Sequence, residues 1–419
     1  MLLMRISLLL YRFFISAYAL GIRIAALWNP KAKEWLAGRK NLFTALEKEV
    51  SKDDRIIWFH CASAGELEQG KPVIEALKLA YPSHKILVSF FSPSGYSVAK
   101  KYRQADVITY LPLDTRGNAA RFIRTIRPEL VVFIKYEYWY YHLSAVAFHH
   151  IPLLLVSGIF RKDQVFFKRY GGFHRQMLFL FRHLFVQDTT SYDLLKGSSI
   201  HHCTISGDTR FDRVNMIASG FSALPLIQSF AGNEKLLVAG STWPEDEQLI
   251  ADYCKQSGIK CIVAPHEITT SHLSQLEKLF PGSVRYSQLE KEGSSHAKVL
   301  VIDNIGMLSR LYHYADVCYV GGGFNKSGIH NTLEAAVYGK PVVIGPNYRK
   351  FKEARDLVEI GAAFSISNGE GFSSIMNHLF SGEGKRMAAG NGAKEYVRQH
   401  QGATTTVVNY IQENRLLTR

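Results

Sequence analysis

From residue 55 onward, short runs of Val, Ile, Leu and Phe alternate with stretches whose apolar positions recur every three to four residues. The runs are apolar at consecutive positions, so they read as strands buried on both faces, and the stretches between them as covering helices. In the first half the pattern predicts strands at 56–63, 85–92, 107–113, 130–135, 152–157, 184–187 and 204–207. In the second half it predicts them at 235–241, 260–264, 298–303, 317–321, 341–345 and 363–366. Strands alternating with helices in this way imply an α/β fold with parallel sheets. Residues 219–234, GFSALPLIQSFAGNEK, bring Gly, Pro and Ser together and interrupt the alternation. A chain of 419 residues is also long for one core. The expected organisation is an anchor helix over 1–28, a doubly wound Rossmann-like domain over 29–222 and a second over 223–419. Ligands of such sheets lie outside the carboxyl ends of the strands, so the cleft between the domains is the expected active site.

Residues 1–28 are apolar apart from Arg5, Arg12 and Arg23 and a few small polar positions. Spacings of seven and eleven put the three arginines on one stripe of a helix, and Lys31, Lys33, Arg39 and Lys40 follow at once. No small-residue cleavage site closes a short apolar core, which argues against a secretory signal. A spanning helix would carry Arg12 near its middle, at a cost of about 3 kcal/mol. A monotopic helix lying in the interface suits the stripe better, although the length would permit a span.

The net charge of +14 needs a partner, and an anionic membrane surface answers it. The basic residues form no compact run with interleaved aromatics, and no nucleic-acid motif is present, so a nucleic-acid partner is not expected. Cys61, Cys203, Cys254, Cys261 and Cys318 are far apart and form no CxxC pair; they read as small core residues. No Asp-x-Asp pair and no His or Cys cluster with metal spacing occurs, so no metal and no cofactor is expected.

The sharpest site signal is 317–346, VCYVGGGFNKSGIHNTLEAAVYGKPVVIGP, read as strand, glycine-rich loop, helix and strand. Gly321, Gly322, Gly323 and Gly328 would let a bound group approach the backbone, and a helix start carrying His330, Asn331 and Glu334 would favour an anion, most simply a phosphate. Neither the dinucleotide fingerprint nor the P-loop pattern is present. Three further strand ends of the second half carry polar or turn residues. These are Ser241 and Thr242, with Glu245 as a capping-box partner of Thr242; His266 after Pro265; and the turn Ile305, Gly306, Met307.

In the first half, Ser63-Ala-Gly-Glu66 turns a strand directly into a helix. Glu66 on that first turn reads either as a dipole-complementing acid or as a base kept ionised by the dipole, and the two are compatible. Glu68 faces another way and is expected to be solvated. Glu137 ends an apolar strand, as a partner of Lys135 or as a second site residue. Arg210, after the strand at 204–207, could meet an anion or pair with Asp208 or Asp212.

Taken in order, GRKN (38–41), SAGE (63–66), PLD (112–114), EYW (137–139), GDTRFD (207–212), AGST (239–242), GGGF (321–324) and HNTLE (330–334) resemble the transferases of 3-deoxy-D-manno-octulosonic acid (Kdo). The resemblance runs over nearly the whole chain. It implies the GT-B fold, a CMP-Kdo donor, a lipid A precursor as acceptor, and a place on the cytoplasmic face of the inner membrane. By that resemblance Glu66 is the base, while Glu137 and Arg210 assist the transition state, Arg210 standing for a more usual lysine. Pro265, His266, Ile305, Gly306, Met307, Asn331, Thr332, Leu333 and Glu334 match CMP-binding positions. Ser241, Gly322, Gly323, Gly328 and His330 belong to the phosphate loop. The chain departs from the family at Ala264-Pro265-His266, where Pro-Arg-His is usual, at Lys135, and at Tyr140-Tyr141. Two rival readings are a membrane-associated transferase of a UDP-sugar and a non-catalytic nucleotide-binding tether.

Overall fold

The computed structural model describes residues 2–292 and 296–418. Contacts divide the chain into two compact units, Met1–Arg213 with Gln401–Arg419, and Val214–His400.

The first unit is built on β1 (Ile56–Cys61), β2 (Lys85–Phe90), β3 (Val107–Tyr110), β4 (Pro128–Ile134), β5 (Leu153–Gly158), β6 (His183–Val186) and β7 (Cys203–Ile205). They form one parallel sheet in the order β3-β2-β1-β4-β5-β6-β7. Every residue of β1 is buried. Ile56 and Trp58 enter one apolar cluster and Ile57, Phe59 and Cys61 the other, as the two-residue period of a strand covered on both faces requires.

The second unit holds β8 (Leu236–Thr242), β9 (Lys260–Pro265), β10 (Val284–Arg285), β11 (Val299–Val301), β12 (Val317–Val320), β13 (Val342–Ile344) and β14 (Ala363–Ser365). They are again parallel, in the order β10-β11-β9-β8-β12-β13-β14. Each strand expected from sequence is present. The addition is β10, two residues long and too short to leave a periodic signal. The segment 219–234 is not wholly irregular, since it contains the helix Pro225–Ala231 with Ile227 and Phe230 buried.

The order of each sheet fixes where ligands are expected. The chain runs outward from β1 to β2 and β3 and returns on the other side at β4; in the second unit it runs outward from β8 and returns at β12. Such reversals open a crevice at the carboxyl ends of the two central strands, here β1/β4 and β8/β12.

Two aspartates hold helices at a distance in sequence. The helix Tyr140–Phe148 has no cap from its own preceding side chain. Asp114 supplies one, accepting from Tyr141 N (3.0 Å), His142 N (2.9 Å) and His142 Nδ1 (2.5 Å). Asp212 does the same for the helix Ala403–Glu413, accepting from Gly402 N (2.7 Å) and Thr404 N (2.6 Å). That helix adds Val407 and Ile411 to the core of the first unit.

The N-terminal helix α1 (Leu2–Ala25) lies against this unit. Ile15 is 2% exposed. Tyr11 donates to Asp114 Oδ2 (2.5 Å) and accepts from Tyr140 N (3.2 Å), and Tyr18 meets the Trp35 ring edge-on. Trp35 belongs to α2 (Pro30–Ala37), which is followed by α3 (Leu42–Glu49).

Candidate active site

At the β1/β4 crevice, β1 feeds helix α4 (Ala64–Ala80) through Ser63, whose hydroxyl accepts from Gly65 N (3.2 Å) and donates to the Glu66 carboxylate. Glu66 is therefore both a first-turn acid and a half-buried carboxylate at a strand end. Glu68 is not simply solvated as expected, since it pairs with Lys71 and with Arg213 (3.0 Å).

Glu137 follows β4. Its Oε2 meets His60 Nε2 (2.6 Å) and accepts from Trp139 Nε1 (2.9 Å). His60 is itself buried on β1 and meets Ser89 Oγ through Nδ1 (2.9 Å), while Ser89 Oγ accepts from Trp58 Nε1 (2.8 Å). With Trp58 donating to the serine and the serine to Nδ1, the network assigns the imidazole proton to Nε2, aimed at Glu137. The two carboxylates act on a common neighbour: burial pushes the Cys61 thiol far up, and Glu66 and Glu137 push it further.

Arg210 is the second residue of the helix Thr209–Ser219 after β7. Its Nε donates to Asp208 Oδ2 (2.8 Å), so one of the two acids weighed as its partners holds it. Tyr136 lies in the field of both signs of charge. Burial raises its phenol, Arg161 and Arg210 lower it, and Glu66 and Asp208 raise it again.

At the β8/β12 crevice the ends of four neighbouring strands, β11, β9, β8 and β12, bear the expected residues. Ser241 has φ +52°, a strained conformation for a residue with a side chain. A Cβ on Gly323 would lie 2.5 Å from Gly345 Cα, so the loop after β12 packs backbone to backbone on the end of β13. Gly322 has φ +88°, which a glycine adopts without cost.

Asp246 shapes this loop. Its Oδ2 accepts from Gly322 N (2.9 Å) and Trp243 N (3.0 Å), and its Oδ1 from Tyr319 Oη (2.6 Å). It caps the helix Pro244–Ser257 behind Trp243, the role expected of Glu245. Burial raises its carboxyl, and the three donors offset only part of that rise.

His330 Nε2 accepts from Trp243 Nε1 (3.2 Å). The His266 ring stacks on Trp243 (4.8 Å) and lies 4.4 Å from His330. Burial, and then His266, lower His330 to about 4, so it is neutral at pH 7 with its proton on Nδ1.

The expected helix carrying His330 and Asn331 is shorter than its pattern suggested. It is the single turn Leu333–Ala336, and both residues precede it. Asn331 bridges into the turn, its Oδ1 accepting from Leu333 N (3.2 Å) and its Nδ2 donating to Glu334 Oε1 (3.2 Å). Thr332 is fully buried, and its hydroxyl has no partner among the described residues. Pro265 is buried and His266 exposed; in the remaining turn Met307 is 7% exposed and Ile305 is 92% exposed.

His60, Trp139, Trp243 and Asp246 are the site residues that sequence reasoning did not single out. Only Trp139 carried a signal, its adjacency to Glu137.

The 3-deoxy-D-manno-octulosonic acid transferase (kdotransferase) family model matches residues 37–213. The Kdo transferase of Rickettsia typhi is 22% identical over 91% of this chain and 84% of its own length. That of Aquifex aeolicus is 26% identical over 78% of this chain and 86% of its own. A bifunctional glycosyltransferase/methyltransferase of Fusobacterium nucleatum is 24% identical over 93% of this chain, which spans only 60% of that protein's length. Among solved structures, UDP-GlcNAc 2-epimerase from Neisseria meningitidis has the same fold, with a TM-score of 0.60 over 86% of this chain and 100% of its own at 13% identity. Over most of its length the chain is thus similar to Kdo transferases, and its two parallel α/β units have the fold class of GT-B glycosyltransferases.

Proposed function

We propose that the protein transfers Kdo from CMP-Kdo to a lipid A precursor in lipopolysaccharide biosynthesis, with inversion at the anomeric carbon. The observation that carries this reading is the placement of Glu66 and Glu137 at neighbouring strand ends of the first unit, in a chain whose relatives are named as Kdo transferases. As the CMP phosphate leaves and oxocarbenium character develops, an acceptor hydroxyl attacks from the opposite face and Glu66 takes its proton, a task worth about 10² to 10⁴-fold in rate. Glu137, oriented by His60 and Trp139, faces the developing positive charge. Arg210 offsets negative charge on the leaving group, in a position set by Asp208.

In the second unit, the donor's phosphate is assigned to the loop at Gly322, Gly323 and Gly328, where the absence of side chains lets it approach the backbone, with Ser241 and with neutral His330 donating from Nδ1. Its nucleoside is assigned to Pro265, His266, the turn Ile305, Gly306 and Met307, and Asn331 to Glu334, with Glu334 accepting from ribose hydroxyls.

Helix α1 is assigned to the membrane interface. At about 100° per residue, Leu8, Tyr11, Ile15 and Tyr18 fall within about 80° of one another, and these are the positions packed on the first unit. The exposed residues Leu9, Phe13, Leu20 and Ile24 face the opposite way, and Arg5, Arg12 and Arg23 lie exposed on the flank between. A span would strip the packed face from the protein, whereas a helix in the plane of the interface keeps it and presents arginines to anionic headgroups.

The test is Glu66→Ala in the full chain: transfer to the lipid is abolished while CMP-Kdo still binds, and CMP displaces the donor better than UDP. Full activity in this variant would remove Glu66 as the base. Preference for UDP would favour the UDP-sugar reading.

A further inference from the structure

Between α1, α2, α3 and the segment that follows β3 lies a cavity of about 480 Å³ that none of the roles above uses. Its walls are mainly apolar, with Ala19, Leu42, Phe43 and Leu113 among them, and besides Arg39 two cations at its edge, Arg23 and Lys40, also line it. Both are exposed. Trp35 forms part of the wall and is 7% exposed, yet its buried Nε1–H has no acceptor among the described residues. A buried donor left without a partner costs roughly 1–3 kcal/mol, and a small movement of the ring that let a ligand oxygen reach it would recover that cost. Apolar walls, two cations and one waiting donor together suit a phosphate carried on an apolar tail.

The cavity is also connected to the chemistry. Its inner wall is Arg39, stacked 3.6 Å over the Trp35 ring and donating to Leu111 O (2.8 Å) and Phe91 O (2.8 Å). The Phe91 ring stacks on Trp139 (4.8 Å), and Trp139 donates to Glu137. Since α1 forms one side of the cavity, a lipid can enter from the interface that this helix occupies.

We propose that this cavity is the subsite for a phosphate of the lipid acceptor, with Arg23 and Lys40 pairing with the phosphate, Trp35 donating to one of its oxygens, and the apolar walls taking the first methylenes of an acyl chain. The proposal rests on the reading that the acceptor is a phosphorylated glycolipid. It makes Arg23, Lys40 and Trp35 specificity residues and leaves the proton transfer to Glu66.

The test uses the full chain in detergent micelles, with the acceptor in its phosphorylated and dephosphorylated forms, and the variants Arg23→Gln/Lys40→Gln and Trp35→Phe. The double variant is expected to raise the KM for phosphorylated acceptor at least tenfold, with kcat and the KM for CMP-Kdo within twofold of wild type. On dephosphorylated acceptor, wild type should lose the same factor and the double variant nothing more. Trp35→Phe, which removes the N–H and shortens the indole to a phenyl ring, should raise the same KM severalfold with kcat within twofold of wild type. The subsite is overturned if the double variant still discriminates between the two acceptors, or if it loses equally on both, as it would if the cations merely attract bulk phospholipid. Equilibrium binding of phosphorylated acceptor without donor separates the two claims. Unchanged affinity in the double variant sinks the subsite, whereas tenfold weaker binding supports it even if no Kdo is transferred and the functional reading fails.

Discussion

Replacing Tyr11 by Phe removes one oxygen at the point where α1 meets the first unit. That hydroxyl donates to Asp114 Oδ2 and accepts from Tyr140 N, while the ring, which the variant keeps, packs on Phe173 (5.6 Å) and Tyr140 (5.9 Å). A bond to a charged acceptor contributes about 1.5–3 kcal/mol, and an N–H left without a partner costs about 1–3 kcal/mol. The site is part-buried, so water recovers some of this, and we take about 3 kcal/mol in all. At about 1.4 kcal/mol per tenfold, that is roughly a 100-fold rise in local opening. Hydrogen exchange in detergent micelles is the assay, read at the amides of residues 140–142, which donate to Tyr11 and Asp114, and along α1. The same contact is pH-sensitive. Burial alone would raise the Asp114 carboxyl, but hydrogen bonding and charge from His142, with the bonds from Tyr11 and Tyr141, hold it below its ordinary value. Its stabilisation is therefore present above about pH 3.9 and lost as pH falls through the lowered folded value. The variant, having lost one of those donors, should lose the Asp114 cap at residues 141–142 at a higher pH than wild type. Exchange at 140–142 changed less than threefold by Tyr11→Phe would refute the docking, and with it the in-plane placement of the helix.

His60→Ala, which leaves Glu137 with Trp139 as the donor described above, should lower kcat about 10²-fold, the cost of misplacing a reacting group by about 1 Å, with little change in either KM. A lowered Tm with kcat and its pH profile retained would reduce His60 to a packing role. For His330, NMR titration should give a value near 4. Because that folded value is depressed, the unfolded chain binds the extra proton between about pH 6.5 and 4, and the group's contribution to stability is lost as pH falls through that window. A titration near 6.5 would show that the ring is not enclosed beside Trp243 and His266.

Much of the fold was legible because strands covered on both faces leave continuous apolar runs; β10, at two residues, leaves none. The crevice residues were legible where they end a run, as Glu66, Glu137 and the glycine loop do. His60 was not, because it sits inside β1 and its partners Ser89 and Glu137 come from the two neighbouring strands through pairings that no local pattern encodes. The turn at 333–336 looked like a longer helix because His330, Asn331 and Glu334 have helical spacing, yet Asn331 caps the turn from outside it. The capping by Asp114, named only within PLD, and by Asp212, weighed only as a partner of Arg210, was not legible, since the helix ends they cap lie far along the chain. Trp35 showed no sign of a missing acceptor, because burial without a partner is a property of packing.

The most direct test of the central claim is mass spectrometry of a lipid A precursor incubated with the purified full chain and CMP-Kdo. The account predicts an acceptor heavier by one or more Kdo residues, with CMP released and the product absent for Glu66→Ala. An unmodified acceptor with CMP-Kdo intact, or transfer that proceeds only when a UDP-sugar replaces CMP-Kdo, would contradict it.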